Sequence, residues 1–255
     1  MAIELQELIG RCDKHGEFKR RVMEILGHRY MASNCPACMD EEAAEEQRKR
    51  DESRAENTRR QWEAKIGRAG IPDRFIDRTL GSYLAKTEGQ RRALAFAKRY
   101  ADEFDAVAKT GRSAMFLGKP GTGKTHLAIG IALQIMTGSS RTSLFCTVMR
   151  AIRTVKDTWR KGAEQTEAAA IEALVFPDLL ILDEVGVQFG SDAEKLLLFD
   201  VLNERYERRR PTLMISNLNA QEVAAYLGER VMDRMREDGG QVVVFDWASH
   251  RGVKQ

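Results

Sequence analysis

An α/β fold, with a central and mainly parallel sheet flanked by helices, is the class predicted by this 255-residue sequence. Three observations predict it. From about residue 73 onward, short apolar runs alternate with longer amphipathic stretches. A glycine-rich octapeptide, Gly118-Lys119-Pro120-Gly121-Thr122-Gly123-Lys124-Thr125, joins one apolar run to one helical stretch. Another apolar run, Leu179–Leu182, ends in the carboxylates Asp183 and Glu184.

The elements follow in order. A helix is expected over Gln90–Phe104, with Ala93, Leu94, Ala97 and Tyr100 or Ala101 on one face. Ser113–Leu117 reads as a buried strand, and a helix starts at Gly-Lys-Thr and runs to Met136. Ser143–Val148 is a second strand, followed by helical segments near Arg150–Trp159 and Glu164–Val175. Leu179–Leu182 is the third strand, Lys195–Glu207 a helix, Thr212–Ser216 the fourth strand. Gln221–Met235 is expected as one helix, and Val242–Phe245 closes the sheet.

The chain divides by composition into residues 1–40, a Cys/His-bearing module, residues 41–69, a charged helical linker, and residues 70–255, the α/β domain. The linker has good helix formers and no sustained apolar stripe, so it reads as a solvated helix with i,i+4 ion pairs rather than a coiled coil. Gly70-Ile71-Pro72 ends it, because the residue before a proline is pushed out of the helical region. A content of 43% hydrophobic and 31% charged residues excludes a wholly disordered chain. The apolar runs are far short of the roughly 20 residues of a membrane span. The first residues show no basic start followed by an apolar stretch, so no secretory signal is read and a cytoplasmic location is expected. A net charge of +3 permits a nucleic-acid partner without demanding one.

Three of the four cysteines lie in the first 38 residues. Cys12-x-x-His15 and Cys35-x-x-Cys38 form two short pairs separated by a loop, the spacing of a closed, structural Zn²⁺ site. His28 is an alternative fourth ligand to His15. Cys146, inside a strand, reads as a small buried hydrophobe.

The octapeptide fits G-x-x-x-x-G-K-[ST] in the strand–loop–helix context that the chemistry requires. Glycines at 118, 121 and 123 let backbone N–H groups point into one concavity, and the helix N-terminus adds its positive end. Lys124 supplies a charge for the β- and γ-phosphates of ATP, and the Thr125 hydroxyl is placed for Mg²⁺. His126 is counted with these residues, its side chain read as local packing or solvation. The strand ending in Asp183 is expected beside the loop strand, with Asp183 holding Mg²⁺ through water and Glu184 as general base for the attacking water.

Asp183-Glu184 after one strand and Ser216-Asn217 after the next resemble the AAA+ ATPases. GERVMDRM (228–235), VVFDWASHR (243–251) and LDEVGVQ (182–188) narrow the likeness to the DnaC-type replicative helicase loaders, over about residues 70–255. That resemblance implies a P-loop AAA+ fold, with Asn217 as the γ-phosphate sensor that orients water. It implies Arg234 as an arginine finger reaching the site of a neighbouring subunit, and Arg251 as a second sensor within the same subunit. The partners implied are a hexameric replicative helicase, gripped by the N-terminal region, single-stranded DNA, and further copies of the chain in an ATP-dependent ring or spiral, with no membrane. Weak ATPase activity, stimulated by DNA or assembly, is expected. Arg150, Arg153, Lys156, Trp159, Arg160 and Lys161 are the candidate DNA contacts, while Arg208–Arg210 read as a solvated helix end. A transposition helper ATPase of the IstB type and a nucleotide-dependent DNA-binding adaptor without significant hydrolysis stand as alternatives.

Overall fold

The computed structural model describes residues 4–25, 28–31, 34–186 and 192–250. Two compact units divide the chain, Met1–Gln61 and Trp62–Gln255. In the first, β1 (Glu4–Cys12), β2 (Gly16–Ile25) and β3 (His28–Met31) form an antiparallel meander. The β1–β2 register closes at Cys12 opposite Gly16, and Gly16 takes φ 77°, a left-handed conformation that glycine adopts without penalty. Helix α1 (Pro36–Arg68) follows. Its residues 40–53 are solvent-exposed and carry the i,i+4 pairs Glu45–Lys49 (2.8 Å) and Glu46–Arg50 (3.0 Å).

The second unit is the α/β domain. Its elements are α2 (Glu88–Asp102), α3 (Phe104–Thr110), β4 (Ala114–Gly118), α4 (Lys124–Gly138), β5 (Ser143–Thr147), α5 (Val148–Asp157), α6 (Glu167–Val175), β6 (Leu179–Asp183), α7 (Asp192–Glu207), β7 (Thr212–Ser216), α8 (Ala220–Leu227), α9 (Glu229–Arg236) and β8 (Gln241–Phe245). The five strands pair in parallel in the order β5-β6-β7-β4-β8. Alternation along each strand sends Phe116, Ile181 and Ile215 to the face covered by α2, α3 and α4. Met115, Leu117, Leu180, Leu182 and Met214 face the side covered by α5 to α9. Short polar residues start the helices: the Thr87 hydroxyl accepts from Gln90 N–H in a capping box, and Thr147, Thr166 and Asn219 cap α5, α6 and α8.

Three expectations are corrected. The strand ending in Asp183 does not lie beside the loop strand: β7 is inserted between β6 and β4. Strand order is a tertiary property, and parallel crossovers leave it open to a strand that comes later in the chain. The helix expected over Gln221–Met235 is broken at Gly228 (φ 87°), which ends α8 and begins α9. The helix expected to reach Phe104 ends at Asp102, and Phe104 starts the short helix α3 instead.

One buried cation organises the α6–α7 side. Arg205, with no solvent exposure, donates to the carbonyls of Leu174 (3.0 Å), Val175 (2.8 Å), Pro177 (3.0 Å) and Pro211 (2.6 Å) and to the Thr212 hydroxyl (3.0 Å). Its guanidinium thus takes up the last carbonyls of α6, where the helix dipole favours a cation. Burial, with Arg210 nearby, pulls its pKa downward.

Candidate functional site

Parallel strands deliver their C-terminal ends to one edge of the sheet, and the candidate residues gather there. The loop after β4 turns through Gly118 (φ 129°), Gly121 (φ 77°) and Gly123 (φ 95°). A Cβ at Gly118 would lie 2.3 Å from the Phe245 carbonyl oxygen, so only glycine fits where the loop leaves the sheet. Lys124, buried at the start of α4, donates to the carbonyls of Gly118 (2.5 Å) and Lys119 (2.7 Å) and to Asn217 Oδ1 (2.9 Å). The Thr125 hydroxyl donates to Asp183 Oδ2 (2.9 Å). Asp183 also accepts the Glu184 N–H at 2.8 Å. Burial raises its pKa, and the bonds from Thr125 and the Glu184 amide and the charge of Lys124 only partly offset this.

The inserted strand β7 therefore carries Asn217 to a position between the loop and the acidic pair. Ser216 ties the two strand ends together, since its hydroxyl donates to the Val185 carbonyl (2.6 Å) and accepts from the Leu218 N–H (3.1 Å). Glu184 is exposed and sits at φ 63°, uncommon for a residue with a side chain. The donor set suits a magnesium-bound triphosphate: a glycine cradle at a helix N-terminus, one ammonium, and a hydroxyl adjoining a carboxylate.

Other candidates are placed elsewhere. His126 Nε2 lies 2.9 Å from the Thr79 carbonyl and 3.3 Å from the Ser82 hydroxyl, with its ring edge-on to Tyr83, so its side chain packs on the 79–83 segment. Arg234, on α9, stacks its guanidinium 4.5 Å over the Tyr206 ring and donates to Asn203 Oδ1, both on α7. Arg251, along with residues 187–188 of the 182–188 motif, lies outside the described residues. Arg150, Arg153, Lys156, Trp159, Arg160 and Lys161 are all exposed. Of these, Lys156 pairs with Glu194 (3.2 Å), Arg160 pairs with Asp157 (3.0 Å), and the Trp159 indole donates to Glu167 (2.6 Å). Arg208 pairs with Glu172 and Glu204 at the surface. Cys146 is buried within β5, and burial pushes its thiol up to about 12.

In the first unit, Cys12, His15, Cys35 and Cys38 bring one ligand atom each within 4.8 Å of one another. Cys12 and His15 flank the β1–β2 turn, while Cys35 precedes α1 and Cys38 lies in its first turn. Cys12 Sγ lies 3.5 Å from Cys38 Sγ, and His15 Nδ1 lies 3.8, 3.7 and 3.3 Å from the sulfurs of Cys12, Cys35 and Cys38. A tetrahedral zinc with ordinary bond lengths needs edges of about 3.8 Å between sulfurs and about 3.5 Å between sulfur and nitrogen. These four distances lie within about 0.3 Å of those edges, and all four ligand atoms lie within 4.8 Å of one another. His15 Nε2 meets Glu41 Oε1 at 3.1 Å, the carboxylate partner that orients a ligating imidazole. The Lys14 and His15 amides and the Cys38 thiol pull the Cys12 thiol down to about 6, and the bond to Cys12 in turn pushes the Cys38 thiol up, so Cys12 holds the thiolate of this pair. His28 lies on β3, and its side chain is outside the described residues.

Sequence reasoning missed the residues that brace the loop from behind. The Thr122 carbonyl accepts from the Trp247 indole N–H (2.9 Å) and the Tyr83 hydroxyl (3.3 Å), and the Gly121 carbonyl accepts from the His250 N–H (2.9 Å). The one signal available was Trp247 itself, because a buried indole requires an acceptor.

Residues 101–238 match the family described as IstB-like ATP binding protein. The replicative helicase loader DnaC of Escherichia coli strain K12 is 37% identical over 196 residues, 77% of this chain and 78% of that protein. The chain belongs to the DnaC/IstB family of AAA+ ATPases. The replicative helicase loader DnaC of Buchnera aphidicola subsp. Acyrthosiphon pisum is 35% identical over the same share of both chains. Among solved structures, the DnaC helicase loader superposes with a TM-score of 0.62 at 24% identity, over 68% of this chain and 99% of that one. The relatives that match over most of their length are thus replicative helicase loaders, and the matching family is an ATP-binding one. Among the described residues no helix is long and apolar enough to cross a membrane.

Proposed function

We propose that the protein is an ATP-dependent loader that places a hexameric replicative helicase on single-stranded DNA, with its N-terminal region gripping the helicase. The observation that carries this reading is the convergence of Lys124, Thr125, Asp183 and Asn217 at one sheet edge in a chain 37% identical to DnaC. The loop amides and Lys124 hold the phosphates, with Gly118 to Thr125 as the cradle and His126 buttressing it from the 79–83 segment. Thr125 and Asp183 hold Mg²⁺, which supplies charge neutralisation to the departing phosphoryl group. Glu184 accepts the proton of the attacking water, and Asn217 orients that water. Arg234 reaches the site of a neighbouring copy, so hydrolysis follows assembly, and Arg251 contacts the phosphates of its own subunit. The exposed basic face of α5, with Arg150 and Arg153, contacts the DNA backbone. Zn²⁺ held by Cys12, His15, Cys35 and Cys38 staples residues 1–40, too short a segment to fold on apolar burial alone. Residues 41–69 link it to the ATPase domain at 70–255.

Co-purification with a hexameric replicative helicase tests the reading. Capture is expected in ATP with the full chain and not with a chain lacking residues 1–69. Capture of a transposase instead of a helicase would favour a transposition helper, the reading that the match to an IstB-like domain keeps open. Wild type and E184Q behaving alike through every cycle of loading would make the protein an adaptor.

A further inference from the structure

We propose that Trp247 and Tyr83 are positioning residues for the phosphate loop: their side-chain donors hold the Thr122 carbonyl on the outer side of the loop and so aim the Gly123 N–H into its concave side. The proposal rests on the reading of this loop as the cradle for ATP.

A trans peptide carries its C=O and N–H on opposite sides, so the orientation of one sets the other. At the 122–123 peptide glycine on one side leaves the local backbone a weak say in the choice. Rotating that peptide changes φ at Gly123, and glycine accepts either sign at no steric cost. The choice therefore falls mainly to contacts from outside the loop. Trp247 N–H at 2.9 Å and Tyr83 O–H at 3.3 Å both converge on the Thr122 oxygen. Thr122, Tyr83 and Trp247 are all buried, and both rings belong to the core on the α4 side of the sheet. Tyr83 is a donor at neutral pH as any phenol is, and burial pushes its pKa further up.

The Gly121 peptide is held in the same sense, while the Lys119 amide anchors the start of the loop to β8. The His250 N–H binds the Gly121 carbonyl (2.9 Å), and the Lys119 N–H binds the Phe245 carbonyl (3.2 Å). The Gln90 side chain lies 2.8 Å from His250 Nε2, tying the segment after β8 to the start of α2. A carbonyl turned into the cradle would set a partial negative charge against a phosphate and remove one amide donor from it.

The test measures the affinity of the full-length protein for magnesium ATP and, by competition, for magnesium tripolyphosphate, which has no base or sugar. W247F keeps an aromatic ring and deletes the indole N–H, while Y83F deletes only the hydroxyl. W247F is expected to weaken both ligands by about fivefold or more, as loss of one neutral hydrogen bond does, and Y83F by less. The thermal midpoint and circular dichroism of the ligand-free protein report folding. Y83F decides alone if W247F does not fold. Unchanged affinity for both ligands in the folded variants overturns the proposal. So does loss of ATP affinity with tripolyphosphate unaffected, which would make the rings nucleoside contacts. Failure of wild-type protein to bind ATP, with K124A no different from it, would instead sink the nucleotide-site reading.

Discussion

The Lys124 ammonium donates to the Asn217 amide oxygen across 2.9 Å, joining the residue that opens α4 to the residue that follows β7. The two are 93 positions apart in the chain and become neighbours because β7 lies between β4 and β6. The loop and the residue that follows β7 thus share one charge. Replacing Lys124 by Ala is expected to abolish ATP binding in a titration. Replacing Asn217 by Ala should leave ATP bound within a few-fold and slow turnover by roughly 10²-fold, the effect of removing one preorganised polar group near developing charge.

Glu184 is exposed at the end of β6, next to Asp183, which the Thr125 hydroxyl binds. E184Q preserves shape and removes the carboxylate proposed as the base. Nucleotide affinity is expected to stay near the wild-type value while phosphate release falls by about 10²–10⁴-fold. Equal release rates for E184Q and wild type would remove Glu184 from the chemistry.

Arg234 is held on α7 by the Tyr206 ring and Asn203, not by the phosphate loop of its own chain. R234A is expected to bind ATP normally and to lose turnover by about 10³-fold or more in the assembled state, as arginine-finger losses do. Mixing R234A with E184Q should restore part of the activity, since one subunit then offers the base and its neighbour the finger. No recovery at any mixing ratio would argue for a role within one chain.

The Cys12–His15–Cys35–Cys38 cluster predicts one zinc per chain in metal analysis. C38S or a strong chelator should remove the metal and the helicase interaction together while ATP affinity is retained. Acid is expected to release zinc as well, because protons compete for the thiolates.

Asp178 accepts from Arg210 (2.7 Å), Arg141 (3.1 Å), the Thr142 N–H (2.9 Å) and its hydroxyl (3.0 Å). Burial pushes its pKa up, but the Thr142 and Arg141 bonds and the Arg210 charge outweigh it and hold the carboxyl below the ordinary range. A lowered native pKa means stability that is complete above the unfolded value near 3.9 and is lost as pH falls through the native value. D178N is therefore expected to cost about 1–3 kcal/mol in urea unfolding at pH 7, with the difference from wild type shrinking toward pH 3.

The strands at 114–118, 143–147, 179–183 and 212–216 were legible to within a residue, while the helix after the loop runs two residues past its expected end and the charged helix begins five residues before residue 41. Their apolar spacing and caps act within a few residues. The antiparallel meander of residues 4–31 was not read, since its strands mix charged and apolar residues without clean alternation. Nor was Arg205: an arginine sequestered by five acceptors from two segments, 174–177 and 211–212, looks in one dimension like any other charge on a helix.

Sequence by itself determined the chemistry on offer: a glycine loop ending in Lys-Thr, a strand ending in two acids, and four thiol and imidazole ligands in two short pairs. All of these are local, because spacing along a turn or helix start decides which atoms share a concavity. Tertiary structure alone decided that β7 separates β6 from β4, that Asn217 meets Lys124, and that Trp247 and Tyr83 grip the Thr122 carbonyl. Those pairings span 39 to 125 positions and arise only when strand order and burial bring distant donors and acceptors to one point.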